Sequence, residues 1–156
     1  MNEDYGKCMQ IKNSVEQKIK SVSGKMAGFT YVYEDWTRAD LKLERLPLPA
    51  LINLLPVSGA LTLGKDQFRD VPNCMFVFVD KVQRDANGSD NDAVFERMKN
   101  AAMEFIVKLN ESGLFEPVEG EIPYSVILEK LAPVVTGISI SLKLKEVAGV
   151  CARKFL

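Results

Sequence analysis

The sequence predicts an α+β fold, a mostly antiparallel sheet with an N-terminal helix and a long central helix packed on one face. Three patterns carry this expectation. From about Asp90 to Ser112 apolar residues recur at helical spacing, and the run Cys74 to Val79 is apolar at every position, as in a strand buried on both faces. Near the C-terminus Ile138, Ile140, Leu142 and Leu144 alternate with Ser139, Ser141, Lys143 and Lys145, the period of a strand wet on one side. No repeat, low-complexity segment or linker interrupts the chain, so residues 1–156 read as a single domain.

Each element follows from local chemistry. Cys8, Ile11, Val15, Ile19 and Val22 form one stripe of an amphipathic helix over about Glu3 to Val22, stopped by Ser23, Gly24 and Gly28. Phe29-Thr30-Tyr31-Val32-Tyr33 opens a strand reaching about Trp36, and the alternation of Leu41 and Leu43 with Lys42 and Glu44 suggests a half-exposed strand over Asp40 to Leu46. Pro47, Pro49 and Pro56 argue against a central strand in Leu48 to Val57, which reads as an irregular apolar connection with one helical turn. Gly59 to Leu63 reads as a short strand and Gly64 to Asn73 as a polar loop long enough to be functional. After the central strand, Arg84 to Asp92 is turn-rich, and Ser89 or Asp90 is positioned to cap the long helix. On that helix Val94, Met98, Ala101, Ala102, Phe105 and Leu109 share a face, and Gly113 sits where a left-handed C-cap belongs. Tyr124 to Leu128 and Val134 to Val147 complete the sheet as two strands.

Composition narrows the function classes. At 156 residues, with 47% apolar and 26% charged residues, the chain can build one real core. A net charge of −1 with dispersed Lys and Arg gives no phosphate-tracking stripe, so no direct nucleic-acid recognition is expected. Neither a signal-type apolar region in Met1 to Gln10 nor an apolar run of membrane-spanning length is present, which sets the expectation of a cytoplasmic, non-membrane protein. Cys8, Cys74 and Cys151 are odd in number and far apart, a pattern of reduced thiols and not of a disulfide framework or zinc site.

Catalytic chemistry finds little foothold. The chain contains no histidine, which removes the usual general base and the commonest transition-metal ligand. No phosphate-cradling glycine motif is present, so no nucleotide cofactor is expected, nor any other cofactor. Asp85, Asn87, Ser89 and Glu96 fall at EF-hand-like spacings, but Asp90 stands where the loop needs glycine, and a solvated loop with a helix cap is the better reading. Asp70 and Asp80 bracket the central strand as a conceivable acid-base pair, but strand-end carboxylates are most often solvated. Tyr31, Tyr33 and Trp36 lie near one basic residue only, Arg38, so they read as core and rim of the first strand and not as a base-stacking platform. The expectation is a non-enzymatic protein that binds or assembles.

The order of elements resembles that of small phage tail-completion, tail-terminator and neck proteins. The resemblance rests on Phe68-Arg69-Asp70-Val71 ahead of the strand Met75 to Asp80, a polar loop, the helical segments Phe95 to Lys99 and Ala102 to Ile106, and the strand Val135 to Leu144. It implies a structural protein that joins into a ring, commonly a hexamer, at the tail end or the head-tail joint, with itself and other tail or neck proteins as partners and no enzyme activity. It further implies a bacterial cytoplasm during assembly and then the virion tail as location. The contacts such families make through loops fall here on Lys65, Phe68, Arg69 and Asp70 and on Arg84, Asp85, Asn87 and Asp90. The alternative that the residues leave open is a monomeric cytoplasmic binding module for a small molecule or peptide.

Overall fold

The computed structural model describes residues 15–83, 85–130 and 134–156. The elements run α1 (Val15–Ser23), β1 (Thr30–Glu34), α2 (Trp36–Leu43), β2 (Ala50–Leu54), β3 (Gly59–Gly64), β4 (Gln67–Lys81), α3 (Gly88–Ser112), β5 (Tyr124–Lys130), β6 (Val135–Lys143), β7 (Val150–Cys151) and a closing 3-10 turn (Ala152–Phe155). The main sheet has the order β1-β2-β4-β6-β5; among the described residues only β1 and β2 pair in parallel. The α+β expectation holds, with α3 lying across β4 and β6 beside α1.

The sheet separates two apolar layers. On one face Phe76 and Phe78 of β4 and Ile138 and Ile140 of β6 pack under Met98, Ala102, Phe105 and Leu109 of α3 and Ile19 and Val22 of α1. Phe105 meets the rings of Phe76 and Phe78 edge-on, with centroids 4.9 and 5.8 Å apart. Such contacts add directional preference to the area buried. On the other face Ala39 and Leu43 of α2 cover Val32, Ile52, Val77 and Val79. Cys8 and Ile11, at the start of the expected N-terminal helix, lie outside the described residues.

The long helix is built as its sequence dictates, with one change at its start. The N-cap is Asn87 and neither Ser89 nor Asp90: Asn87 Oδ1 accepts from the Asp90 N–H at 2.9 Å, and Asp90 Oδ2 accepts from the Asn87 N–H at 3.1 Å. This reciprocal capping box satisfies two backbone donors that a helix start leaves open. Gly113 closes the helix at φ 69°, a conformation a Cβ disfavours.

Three expectations are corrected. Asp40 to Leu46 is not a strand: Trp36–Leu43 forms α2, because Asp35 caps it by accepting the Arg38 N–H at 2.9 Å and Ala39 and Leu43 fall four apart on one buried face. Leu48 to Val57 is not irregular: Ala50–Leu54 is β2, a fully buried strand between β1 and β4. Pro49 and Pro56 flank it from outside, so neither removes a ladder donor. Gly64 to Asn73 is not a loop, because β4 begins at Gln67 and the turn is only Lys65-Asp66. Both turn residues hold positive φ, 51° and 60°, the geometry of a tight hairpin whose twist matches its strands. The wet-faced reading of β6 holds only for its second half: Thr136 and Ser139 are buried, while Ser141 and Lys143 are exposed.

The C-terminal segment is tied down in two places. Residues 114–116 bond to 145–147 through the Glu116 N–H to Lys145 O and the Val147 N–H to Leu114 O, and Lys18 Nζ of α1 donates to Glu146 Oε2 at 2.7 Å in a buried ion pair. Cys151 and Val150 then pair with Gln67 and Phe68.

Candidate functional site

Strand β4 is long enough to serve two sheets. Its second half is the centre of the main sheet, whereas its first half leaves that sheet and pairs with β3 to make a projecting two-stranded arm. Every residue of β3 is exposed except the half-buried Thr62. Two-stranded hairpins bury too little to be stable alone. This one is braced at its tip end by β7 and by Phe155, whose ring meets Phe68 edge-on at 6.3 Å; Arg69 Nε also donates to Val147 O at 3.3 Å.

The arm presents apolar side chains to solvent. Leu61 and Leu63, two apart and therefore on one face, are 74% and 61% exposed, and Val57 at the arm's root is 99% exposed. Where the arm leaves the sheet an open groove of about 890 Å³ runs between the start of α2, the Leu55–Ser58 segment and the last residues of β6. Trp36, Leu55, Val57, Met75 and Pro123 give it an apolar lining; Asp35, Glu121 and Lys143 carry the charges on its walls. An exposed apolar strip beside an open apolar groove is the kind of surface that soluble monomers rarely keep without use.

A third apolar exposure lies at the sheet's edge. Among the described residues strand β5 has a neighbour on one side only, and Tyr124, Val126 and Leu128 are about half exposed on one of its faces, with Lys99 Nζ over the Tyr124 ring at 5.0 Å. An open edge with apolar side chains is a template for another strand.

The residues expected to make subunit contacts fall in two separate places. Lys65 is at the arm's tip; Phe68, Arg69 and Asp70 are on its β4 side, and Phe68 and Arg69 hold the arm to the C-terminal segment. Asp85, Asn87 and Asp90 gather at the start of α3, where Asn87 and Asp90 serve the helix cap. Arg84 lies outside the described residues. The two groups sit at opposite ends of the 15-residue β4. The sequence reading missed Leu61, Leu63, Trp36 and Met75, because the two-residue turn Lys65-Asp66 carries none of the glycine or asparagine pairs that signal a hairpin.

The candidates for catalytic and metal chemistry lie in separate places. Burial, and then the charge of Asp70, pushes the Cys74 thiol up to about 12, so it stays protonated at neutral pH and acts as a small apolar residue. Asp70 and Asp80 stand ten residues apart on one strand, ~33 Å, and Asp80 Oδ2 accepts from Arg97 Nη1 at 2.7 Å, so they cannot work as a pair. Ser89 and Glu96 of the EF-hand-like string are inside α3 and not in a loop. Among the described residues no group of three acidic, cysteine or histidine side chains is placed to hold a metal, and no helix is long and apolar enough to cross a membrane. No protein-family model, curated protein or solved structure matches the chain, so these comparisons assign it to no family.

Proposed function

We propose that this chain is a structural phage or prophage protein of the tail or neck, which self-associates into a ring by seating the arm of one copy in the groove of the next. The observation that carries this reading is the projecting β3–β4 hairpin, with Leu61 and Leu63 exposed on one face and an apolar groove at its root. Arm and groove are different surfaces, so the contact is heterologous, and a heterologous contact closes into a ring when its rotation allows. Burying one exposed leucine contributes about 1.5–3 kcal/mol, so two leucines and Val57 contribute about 4.5–9 kcal/mol per contact, comparable to the roughly 4–15 kcal/mol cost of association, and the rest of the groove lining must supply the surplus. The paired apolar layers under α3 and α2 give the arm a rigid base from which to act.

Light scattering on the purified protein over a wide concentration range tests the reading. A species near six times 17.4 kDa, about 104 kDa, is expected, and lost in the double variant L61K/L63K. A monomer at every concentration, with and without tail or neck partner proteins, refutes it. The groove also favours a second reading, a monomeric module that holds a peptide or small molecule between Trp36, Met75 and Val57, since its volume lies in the range of ligand sites. A monomer that binds apolar peptides in the groove, weakened by W36A, would establish that reading instead.

A further inference from the structure

A second cavity, about 370 Å³, lies between the N-terminal end of α1 and the root of the arm, apart from the apolar groove's main lining. Its polar members are Glu16, Tyr33, Asn53 and Asp70, and among the described residues neither Lys nor Arg lines it. Asn53 is the informative residue. It is 1% exposed, its Nδ2 donates to Tyr31 Oη at 3.2 Å, and Tyr31 Oη donates in turn to Glu16 Oε1 at 2.9 Å. Its Oδ1 has no hydrogen-bond partner among the described residues. A buried acceptor left open is costly, and buried polar atoms are nearly always paired, so a donor belongs there.

The donor's chemistry follows from its surroundings. Two carboxylates and an amide oxygen are acceptors, and a primary ammonium is a group with three donors and no acceptor. The field in the cavity opposes negative charge: burial first, and then Glu16 and Cys74, raise the Tyr33 phenol, while Asp70 adds to the rise of the Cys74 thiol. Tyr33 also lines the cavity, and a tyrosine ring attracts a cation placed over its face. Val15 and Ile19 of α1 supply an apolar wall for an alkyl chain.

We propose that this cavity binds a primary alkylammonium group, held by Glu16, Asp70 and Asn53, with its alkyl chain against Val15 and Ile19. The group can come from a free amine or from a lysine side chain of a partner protein, and neither source depends on ring assembly. The test is an NMR titration of the full chain, following the Asn53 side-chain amide, with n-butylamine, with n-butanol and with a lysine-containing peptide. Saturable shifts with n-butylamine and none with n-butanol are expected. Asp70→Asn, at an exposed position that leaves the core untouched, should weaken binding roughly tenfold, and Glu16→Gln by a similar factor. A tighter peptide assigns the site to a protein lysine, a tighter free amine to a small molecule. Equal shifts from butanol, no saturable shift from either amine probe, or unchanged affinity in both carboxylate variants overturns the proposal.

Discussion

The buried ion pair between Lys18 and Glu146 makes the sharpest statement about what holds this fold together. Lys18 Nζ and Glu146 Oε2 are 2.7 Å apart, with side chains only 8% and 10% exposed, and they fasten α1 to the segment that follows β6. Replacing Lys18 with Met leaves a carboxylate buried without its cation. Loss of one partner of a buried pair costs about 3–5 kcal/mol, a large share of the 5–15 kcal/mol that holds a typical domain. At roughly 2–4 °C of melting temperature per kcal/mol for a domain of this size, K18M should melt on the order of 10 °C lower. The double variant K18M/E146L, which replaces both charges with apolar groups, should recover to within about 1 kcal/mol of the parent, because the pair's own attraction only offsets its desolvation. Urea unfolding of the four proteins, parent, two singles and double, gives the cycle directly. If K18M loses less than about 1 kcal/mol, or if the double variant is as unstable as the sum of the singles, the reasoning fails.

Three further outcomes follow from the same structure. A Cβ at Gly137 would run into the backbone carbonyl of Phe78 on the neighbouring strand, so G137A should cost about 3 kcal/mol in urea unfolding, whereas G64A, with open space around it, should cost far less. Because the Cys74 thiol is raised from its ordinary 9.0 to about 12 by burial, its contribution is complete below pH 9 and is lost as the pH climbs towards 12, where the unfolded chain alone has released the proton; stability should fall by up to about 1.4 kcal/mol per pH unit in that window, and C74V should flatten the slope. Asn87→Ala removes the side-chain acceptor of the capping box and should cost about 1 kcal/mol by thermal unfolding, whereas Ser89→Ala should be close to neutral.

How much of this was legible in the sequence depends on how many periods each element displays. Helix α3 repeats its pattern over 25 residues, long enough for Val94, Met98, Phe105 and Leu109 to declare a face without help from tertiary context. Helix α2 is eight residues long, and over Leu41 to Leu43 the helical and strand periods are both satisfied; the decision was made by the Asp35 cap and by which leucine is buried, since Leu41 is exposed and Leu43 is not. Strand β2 was hidden by two prolines that bound it without entering it. The arm was hidden because its turn uses Lys65 and Asp66 at positive φ, where glycine or asparagine would have announced it, and because exposed leucines are ordinary in a sequence and informative only in three dimensions. The cavity beside Asn53 could not be read at all, since Glu16, Asn53 and Asp70 meet only through the pairing of β1, β2 and β4 beneath α1.

The contact between arm and groove is tested most directly by cross-linking a Leu61→Cys/Met75→Cys double variant in a Cys8→Ser background. Within one chain Leu61 pairs with Asp70, five residues from Met75, so the two positions are ~16 Å apart and cannot form an internal disulfide. Seating the arm of one copy in the groove of the next brings them together. Mild oxidation should then give a ladder of covalent oligomers that ends in one closed species. Monomer alone after oxidation, from protein that scatters light as an assembled ring, would contradict the arm-in-groove contact.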